Sequence, residues 1–438
     1  MTTALGPRRA AAADHGQTWW SRWWLAASGL TLVVASDYDL RTRPPGDAVG
    51  ASVDAAILLE IALYGAVGAH LLLTRARPPR VVRAPRQLFL LVLYVGLVVL
   101  SLTYTPYLLY GAVRAVQMCV LLGLALAAAR DARPEHLHRF AHGFLVLVAL
   151  SVCYGAAVPS AAVSALQEGR FTWLAIHPTV SGVLTGLAVV IGVGYLWAGA
   201  RPRSGPRWPT GAYGLLLLVV GGGLLATQTR GAVLAAGVAS VVVLVSLRTG
   251  RALVELLLAL LVLGAGAALA LSGVITAYVV RGEDPSALVT LNSRTMLWRL
   301  AGERVLEEPL YGYGTTAARG IFYAETGLGG GHNAVVNVVV ELGLVGLAVW
   351  AALLVVLVLG VRGLPRDASH GVVVDRALLL GLVAFLLVDG VVYEGAGAVT
   401  NVGATWLFVC VAWLTVAQRA ARGDGVHGSV PASTGVRR

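Results

Sequence analysis

The chain has 438 residues, of which 57% are hydrophobic and only 13% are charged, and its mean hydropathy is +0.77. A soluble core of this length cannot bury that much apolar side chain, so a soluble globular protein is excluded and the class is polytopic membrane protein. The formal net charge of +11 is all arginine, since no lysine occurs, and these arginines gather in short loops between apolar windows. That placement is a topology signal and excludes a nucleic-acid surface.

Windows of apolar residues long enough to span a bilayer predict an all-α fold with about twelve transmembrane helices. In chain order they are 19–36, 53–73, 88–104, 110–129, 140–158, 176–199, 211–226, 231–247, 252–280, 334–361, 377–394 and 401–418. Residues 1–18 then form a cytoplasmic N-terminal tail, 19–418 a single transmembrane domain, and 419–438 a cytoplasmic C-terminal tail. Arg22 amid Trp19, Trp20, Trp23 and Trp24 reads as the interfacial anchor of an uncleaved first helix. Alternate loops differ sharply in charge: 23 arginines fall on one side, nine on the other, and Arg114 lies within a window. The positive-inside rule places both termini in the cytoplasm. Cys119, Cys153 and Cys410 all fall in apolar stretches, so no disulfide framework is expected.

The outward loops carry the polar features. SDYDL (36–40) holds Asp37 and Asp39, with Arg41 and Arg43 following. TQTRGA (227–232) is a very short connection that keeps Gln228 and Arg230 at the membrane surface. The longest loop, the outer catalytic loop 281–333, begins with LNSRTMLWRLAGERVLEE (291–308). Those residues read as an amphipathic helix capped at Asn292 or Ser293, with Arg294 in its first turn. PLYGYG (309–314) turns the chain, and GLGGG (327–331) leads to His332 and Asn333 at the start of a span. Inside that span stand Asn337 and Glu341, one helical turn apart and on one face. An intramembrane carboxylate is costly unless paired. The sequence offers Asn337 as a hydrogen-bond partner for Glu341, or Arg114 of the fourth window as an ion-pair partner.

Arginine presents a planar, permanently charged fork suited to phosphate or diphosphate, and a neutral histidine can take a proton from an attacking hydroxyl. Arg230, Arg294 and His332 are therefore the catalytic candidates. The plain structural reading is that these arginines pair with loop carboxylates such as Glu303, Glu307, Glu308 and Glu325, and that His332 is a helix cap.

Three of these segments together carry a resemblance. His332-Asn333, followed at the family's spacing by Gly343 and Gly346, is similar to the His-Asn/Ser/Gln and Gly-x-x-Gly motif of the O-antigen ligase and O-antigen polymerase superfamily. TQTRGA resembles its small-polar-Arg-Gly segment, and LNSRTMLW with PLYGYG resembles its Ser-Arg, Trp, Pro-Leu-x-Gly-x-Gly loop. The resemblance spans roughly residues 176–361. It implies a GT-C type glycosyltransferase architecture. It also implies transfer of a glycan from a polyprenyl diphosphate-linked donor to a glycan or glycolipid acceptor, on the outer face of the bacterial cytoplasmic membrane and without cofactor or metal. The family's two arginines map onto Arg230 and Arg294, and its histidine onto His332.

Further substrate-binding candidates are Asn333, Gln228, Arg170, and His177 of AIHPTVSG, which resembles a His/Asn-Pro segment of the family. Asp37 and Asp39 complete the set, with pairing to Arg41 and Arg43 as their plain reading. Asp389, Glu394 and Asn401 border the last outer turn. Tyr104, Tyr107 and Tyr110 offer rings for sugar stacking or an interfacial belt. A polymerase of lipid-linked repeat units is the alternative within the class, and a transporter or flippase of lipid-linked sugar is the rival outside it.

Overall fold

The computed structural model describes residues 19–38, 54–75, 85–159, 169–174, 177–199, 208–280, 294–366, 369–397 and 400–427. Fifteen α-helices are described: α1 (Trp19–Asp37), α2 (Ala55–Arg75), α3 (Arg86–Leu100), α4 (Leu108–Asp131), α5 (Pro134–Ala157), α6 (Pro178–Trp197), α7 (Thr210–Ala226), α8 (Arg230–Ser246), α9 (Gly250–Ala270), α10 (Ser272–Val280), α11 (Arg294–Glu307), α12 (Ala317–Thr326), α13 (Ala334–Arg362), α14 (His370–Asp389) and α15 (Val402–His427). Among the described residues nine helices are long and apolar enough to cross a membrane, and α7 and α8 are shorter apolar helices. The chain is an all-α polytopic membrane protein.

Helices α6, α8, α14 and α15 form the interior, with α8 lying along α14 and α6 wedged against α7 and α8. Small residues allow these close approaches: a Cβ at Gly186 would fall 2.5 Å from the Phe385 ring, and one at Gly381 would fall 2.3 Å from Val243 Cγ2. Helix α9 is apolar beyond Arg251 and Glu255 of its first turns and has no buried residue, which suits a helix surrounded by lipid. At one end of the bundle a buried polar set joins five helices. His138 Nε2 is 3.1 Å from Asp375 Oδ1, and Trp413 Nε1 donates to the same oxygen at 2.9 Å. The Tyr195 hydroxyl is 2.7 Å from His138 Nδ1, and that of Tyr213 is 2.6 Å from His142 Nε2. Arginines stack on the N-terminal tryptophans there, Arg75 over Trp24 at 4.3 Å and Arg139 over Trp23 at 5.9 Å.

The other end carries the loop helices α11 and α12 and the starts of α4, α6, α8, α13 and α15. Three sequence expectations change here. The single window 252–280 divides into α9 and α10. Arg114 pairs with Glu60 at 2.9 Å rather than with Glu341; Gln117 and Thr400 complete its partners at 2.9 and 3.2 Å. Asn337 donates to Glu394 at 2.9 Å rather than to Glu341. The carboxylate of Glu341 instead faces the backbone amides of Thr316 and Ala318, at the start of α12. That helix start supplies unpaired N–H groups and the positive end of a helix dipole. A helix over 317–326 was not expected from sequence, although Ala318, Ile321 and Phe322 sit at helical spacing and bury against Val340 and Leu297.

Helix α13 is not continuous. Gly343 adopts φ 63°, ψ −165°, which breaks the helix ten residues from its start. The segment 309–314 fills the break. Tyr313 N–H donates to Val340 O at 2.9 Å and Gly314 N–H to Glu341 O at 2.8 Å, while Leu344 and Val345 N–H donate to Pro309 O and Leu310 O at 2.9 and 3.2 Å. Four backbone groups at the break therefore meet partners from this strap, as a low-dielectric setting requires. Close approach needs glycine: a Cβ at Gly343 would lie 2.3 Å from Leu310 C, and one at Gly312 would lie 2.5 Å from Val340 O.

Candidate functional site

The site is built on the turn 389–397 that follows α14. Gly390 O accepts the Ala334 N–H at 2.8 Å, and Val391 O accepts from Asn333 Nδ2 at 2.9 Å. Asn333 also caps α13, its Oδ1 accepting from Val335 and Val336 N–H at 2.8 and 3.1 Å, the role asparagine fills well at a helix start. The same turn receives α8. Gly231 lets that helix begin against it, because a Cβ there would fall 2.3 Å from Val392 Cγ2. Arg230, the first residue of α8, is thereby held beside the turn, and its Nη2 donates to Val280 O at 3.4 Å. Helix α11 arrives from a third direction: Arg294 at its start interacts electrostatically with Asp389, and one turn later Trp298 Nε1 donates to Gly331 O at 3.1 Å.

His332, between Gly331 and Asn333, adopts a left-handed conformation, φ 47°, which costs an L-residue roughly 1–2 kcal/mol. Its neighbours hold it there. Gly331 N–H donates to Asn337 Oδ1 at 2.8 Å, and Asn337 Nδ2 reaches Glu394 Oε2. Among the described residues neither ring nitrogen of His332 is engaged in a hydrogen bond, so the half-buried imidazole can meet a ligand.

Arg170, His177 and the 227–230 connection lie on one flank. His177 Nδ1 accepts from Thr179 N–H at 3.2 Å as the cap of α6. Burial, then the nearby charges of Arg170 and His332, pull its pKa down to about 4, so the ring is neutral at working pH with its proton on Nε2. Arg170 Nε donates to Thr227 O at 3.0 Å, and its Nη2 to Thr229 Oγ1 at 3.1 Å. Thr229 Oγ1 in turn donates to Pro178 O at 3.0 Å. Gln228 stands in this connection at φ 50°.

Residues 214–351 match a family model described as O-antigen ligase. Over that stretch the chain is similar to the O-antigen ligase family. No curated protein matches it. The matched stretch contains TQTRGA, the start of α11, the strap 309–314 and the His332–Gly346 segment. TQTRGA, the start of α11 and the start of α13 border the turn 389–397, which itself lies beyond the match, while the strap packs on α13.

Asp37 has a structural role. It is buried, accepts from Val402 N–H at 3.0 Å and from Ser36 Oγ at 2.6 Å, and so anchors the start of α15. Asp39 lies outside the described residues. Arg304 is spent on Glu307 at 2.9 Å and on Glu325, the loop pairing that sequence allowed for any outward arginine. Tyr104 donates to Tyr311 O at 2.9 Å, tying the start of α4 to the strap. Among the described residues no group of three or more His, Cys, Asp or Glu is arranged as a metal site. Arg319 was visible in sequence only as one outward arginine among nine; its position against Gly329 depends on α12.

Proposed function

We propose that this protein is a membrane glycosyltransferase of the O-antigen ligase type. It moves a glycan from a polyprenyl diphosphate to an envelope acceptor at the outer face of the cytoplasmic membrane. The observation that carries the reading is that three separate segments border one turn, 389–393: Gly231 beside Arg230 abuts Val392, Arg294 interacts electrostatically with Asp389, and Asn333 beside His332 donates to Val391 O. The leaving group is a diphosphate, so stabilising its developing charge is the main catalytic need, and guanidinium groups from α8 and α11 supply fixed donors for it. The acceptor hydroxyl oxygen attacks the anomeric carbon and its proton passes to His332. The bond from that carbon to the diphosphate oxygen breaks, and the electron pair leaves with the polyprenyl diphosphate. Arg170, Gln228 and His177 extend the donor side, and Asn333 holds the histidine segment on the turn.

The architecture accords with this reading. The nine long helices, taken with α1 and the shorter α7 and α8, support a GT-C type arrangement with both termini in the cytoplasm. The arginine-rich helix ends then face the cytosol and the His332 end faces outward. A flippase would use a broken helix to offer backbone groups to its cargo. Here the break in α13 is closed by the strap, which favours chemistry at the bundle end.

The test is transfer by the purified protein in proteoliposomes from a polyprenyl diphosphate-linked oligosaccharide. Arg230→Ala, Arg294→Ala and His332→Ala should each lower the rate by about a hundredfold or more while the protein stays folded. Normal turnover by the triple variant refutes the site. Products in which donor repeats join to one another would identify a polymerase.

A further inference from the structure

Beside the 329–332 segment lies a cluster that takes no part in gripping a diphosphate. Arg319, on α12, makes one hydrogen bond among the described residues, Nη1 donating to the Tyr110 hydroxyl at a long 3.4 Å, and it forms no ion pair there. Its guanidinium packs on the backbone of Gly329, whose Cβ, if present, would sit 3.5 Å from Nε. Glu394 approaches the next residue. A Cβ at Gly330 would fall 2.2 Å from Glu394 Oε2, and that oxygen accepts from Asn337. Arg319 and Glu394 thus border the two glycines that lead into His332, and both interact electrostatically with Tyr393. Helix α12 is seated for this by Gly320, where a Cβ would lie 2.0 Å from the Tyr107 ring.

A cation and a carboxylate held near each other without pairing, with a phenol hydroxyl beside them, present donors and acceptors at no net charge. Diphosphate would meet repulsion from Glu394. A sugar ring suits both: its hydroxyl and ring oxygens accept from the guanidinium, and its hydroxyls donate to the carboxylate. The cluster is also reached from α4 and α12, whereas Arg170, His177 and Arg230 come from the α6 and α8 side, so a ligand in each place can meet at His332.

We propose that Arg319, Glu394 and Tyr110 form a subsite for a neutral, hydroxyl-rich sugar of the acceptor. This rests on the glycosyl-transfer reading for its biological role, but the binding can be tested alone. The full-length protein in nanodiscs is titrated with a panel of neutral tri- and tetrasaccharides, and separately with inorganic pyrophosphate, by saturation-transfer NMR and calorimetry. Arg319→Met and Glu394→Gln should weaken binding of the oligosaccharide by about tenfold or more while pyrophosphate binding moves less than about twofold. Arg230→Ala should show the reverse. Glu394→Gln keeps an acceptor for Asn337, so its unfolding temperature checks that the fold survives. Equal loss of both ligands, unchanged oligosaccharide binding, or no oligosaccharide bound by the natural protein at millimolar concentration overturns the subsite. If binding follows Arg319 and Glu394 but no glycan is transferred, the transfer reading fails and the subsite stands. If transfer occurs with an acceptor KM indifferent to both residues, the subsite alone falls.

Discussion

At the residue scale, His332 combines a strained backbone with an unengaged imidazole, and the strain is maintained by its neighbours. Asn337 holds Gly331 from one side and Trp298 from the other. Asn337→Leu leaves the buried Gly331 N–H without an acceptor. It should cost about 1–3 kcal/mol of stability and lower transfer more than substrate binding, read as a fall in kcat at nearly constant donor KM. His177 makes a pH prediction. Its folded pKa, about 4, lies below the ordinary histidine value, so the unfolded chain binds the extra proton first as pH falls. Stability tied to this ring is complete above pH 6.5 and is lost progressively between about 6.5 and 4. A thermal unfolding series should show that acid-side decline, and His177→Asn, which retains a capping acceptor, should flatten it. An unchanged slope would show that other groups govern it.

At the element scale, the break in α13 and the strap 309–314 act as one unit. The Gly-x-x-Gly and Pro-Leu-x-Gly-x-Gly patterns, 29 residues apart at Gly314 and Gly343, are the two halves of a single set of backbone contacts. Neither half explains its glycines alone. Gly343→Ala should destabilise by about 3 kcal/mol, combining a left-handed alanine with a clash against Leu310. Hydrogen exchange should rise in 309–314 and 340–345 together; exchange confined to one of the two would contradict the coupling. Arg114 and Glu60 form a second unit, partly buried between α2 and α4. Removing one partner, as in Arg114→Met, should cost about 3–5 kcal/mol, and Arg114→Met with Glu60→Gln should recover part of it, because the single change strands a buried charge.

At the scale of the whole molecule, the two ends of the bundle differ in chemistry. One carries stacked arginines and tryptophans; the other carries the histidine, the loop helices and the turn 389–397. The proposed orientation rests on the arginine asymmetry of the sequence. In a background lacking Cys119, Cys153 and Cys410, Thr326→Cys should react with an impermeant maleimide on intact cells. Arg422→Cys should react only after the membrane is opened. The reverse pattern would invert the proposed sidedness and remove the donor from the site.

The span windows, the excess of arginine on one side and the outward motif segments were legible in the sequence alone. Hydropathy, charge asymmetry and short-range spacing are local properties that a bilayer reads directly. The membrane class followed from them, and the motif segments carried the family resemblance. Partners across long separations were not legible. Glu341 turned to the start of a helix near residue 317, Asn337 to Glu394, and Arg114 to Glu60, because each buried polar group takes the partner that packing brings within reach and not the one nearest in sequence. Only the tertiary structure could bring α8, α11 and α13 onto one turn, because that meeting depends on which glycines let backbones touch.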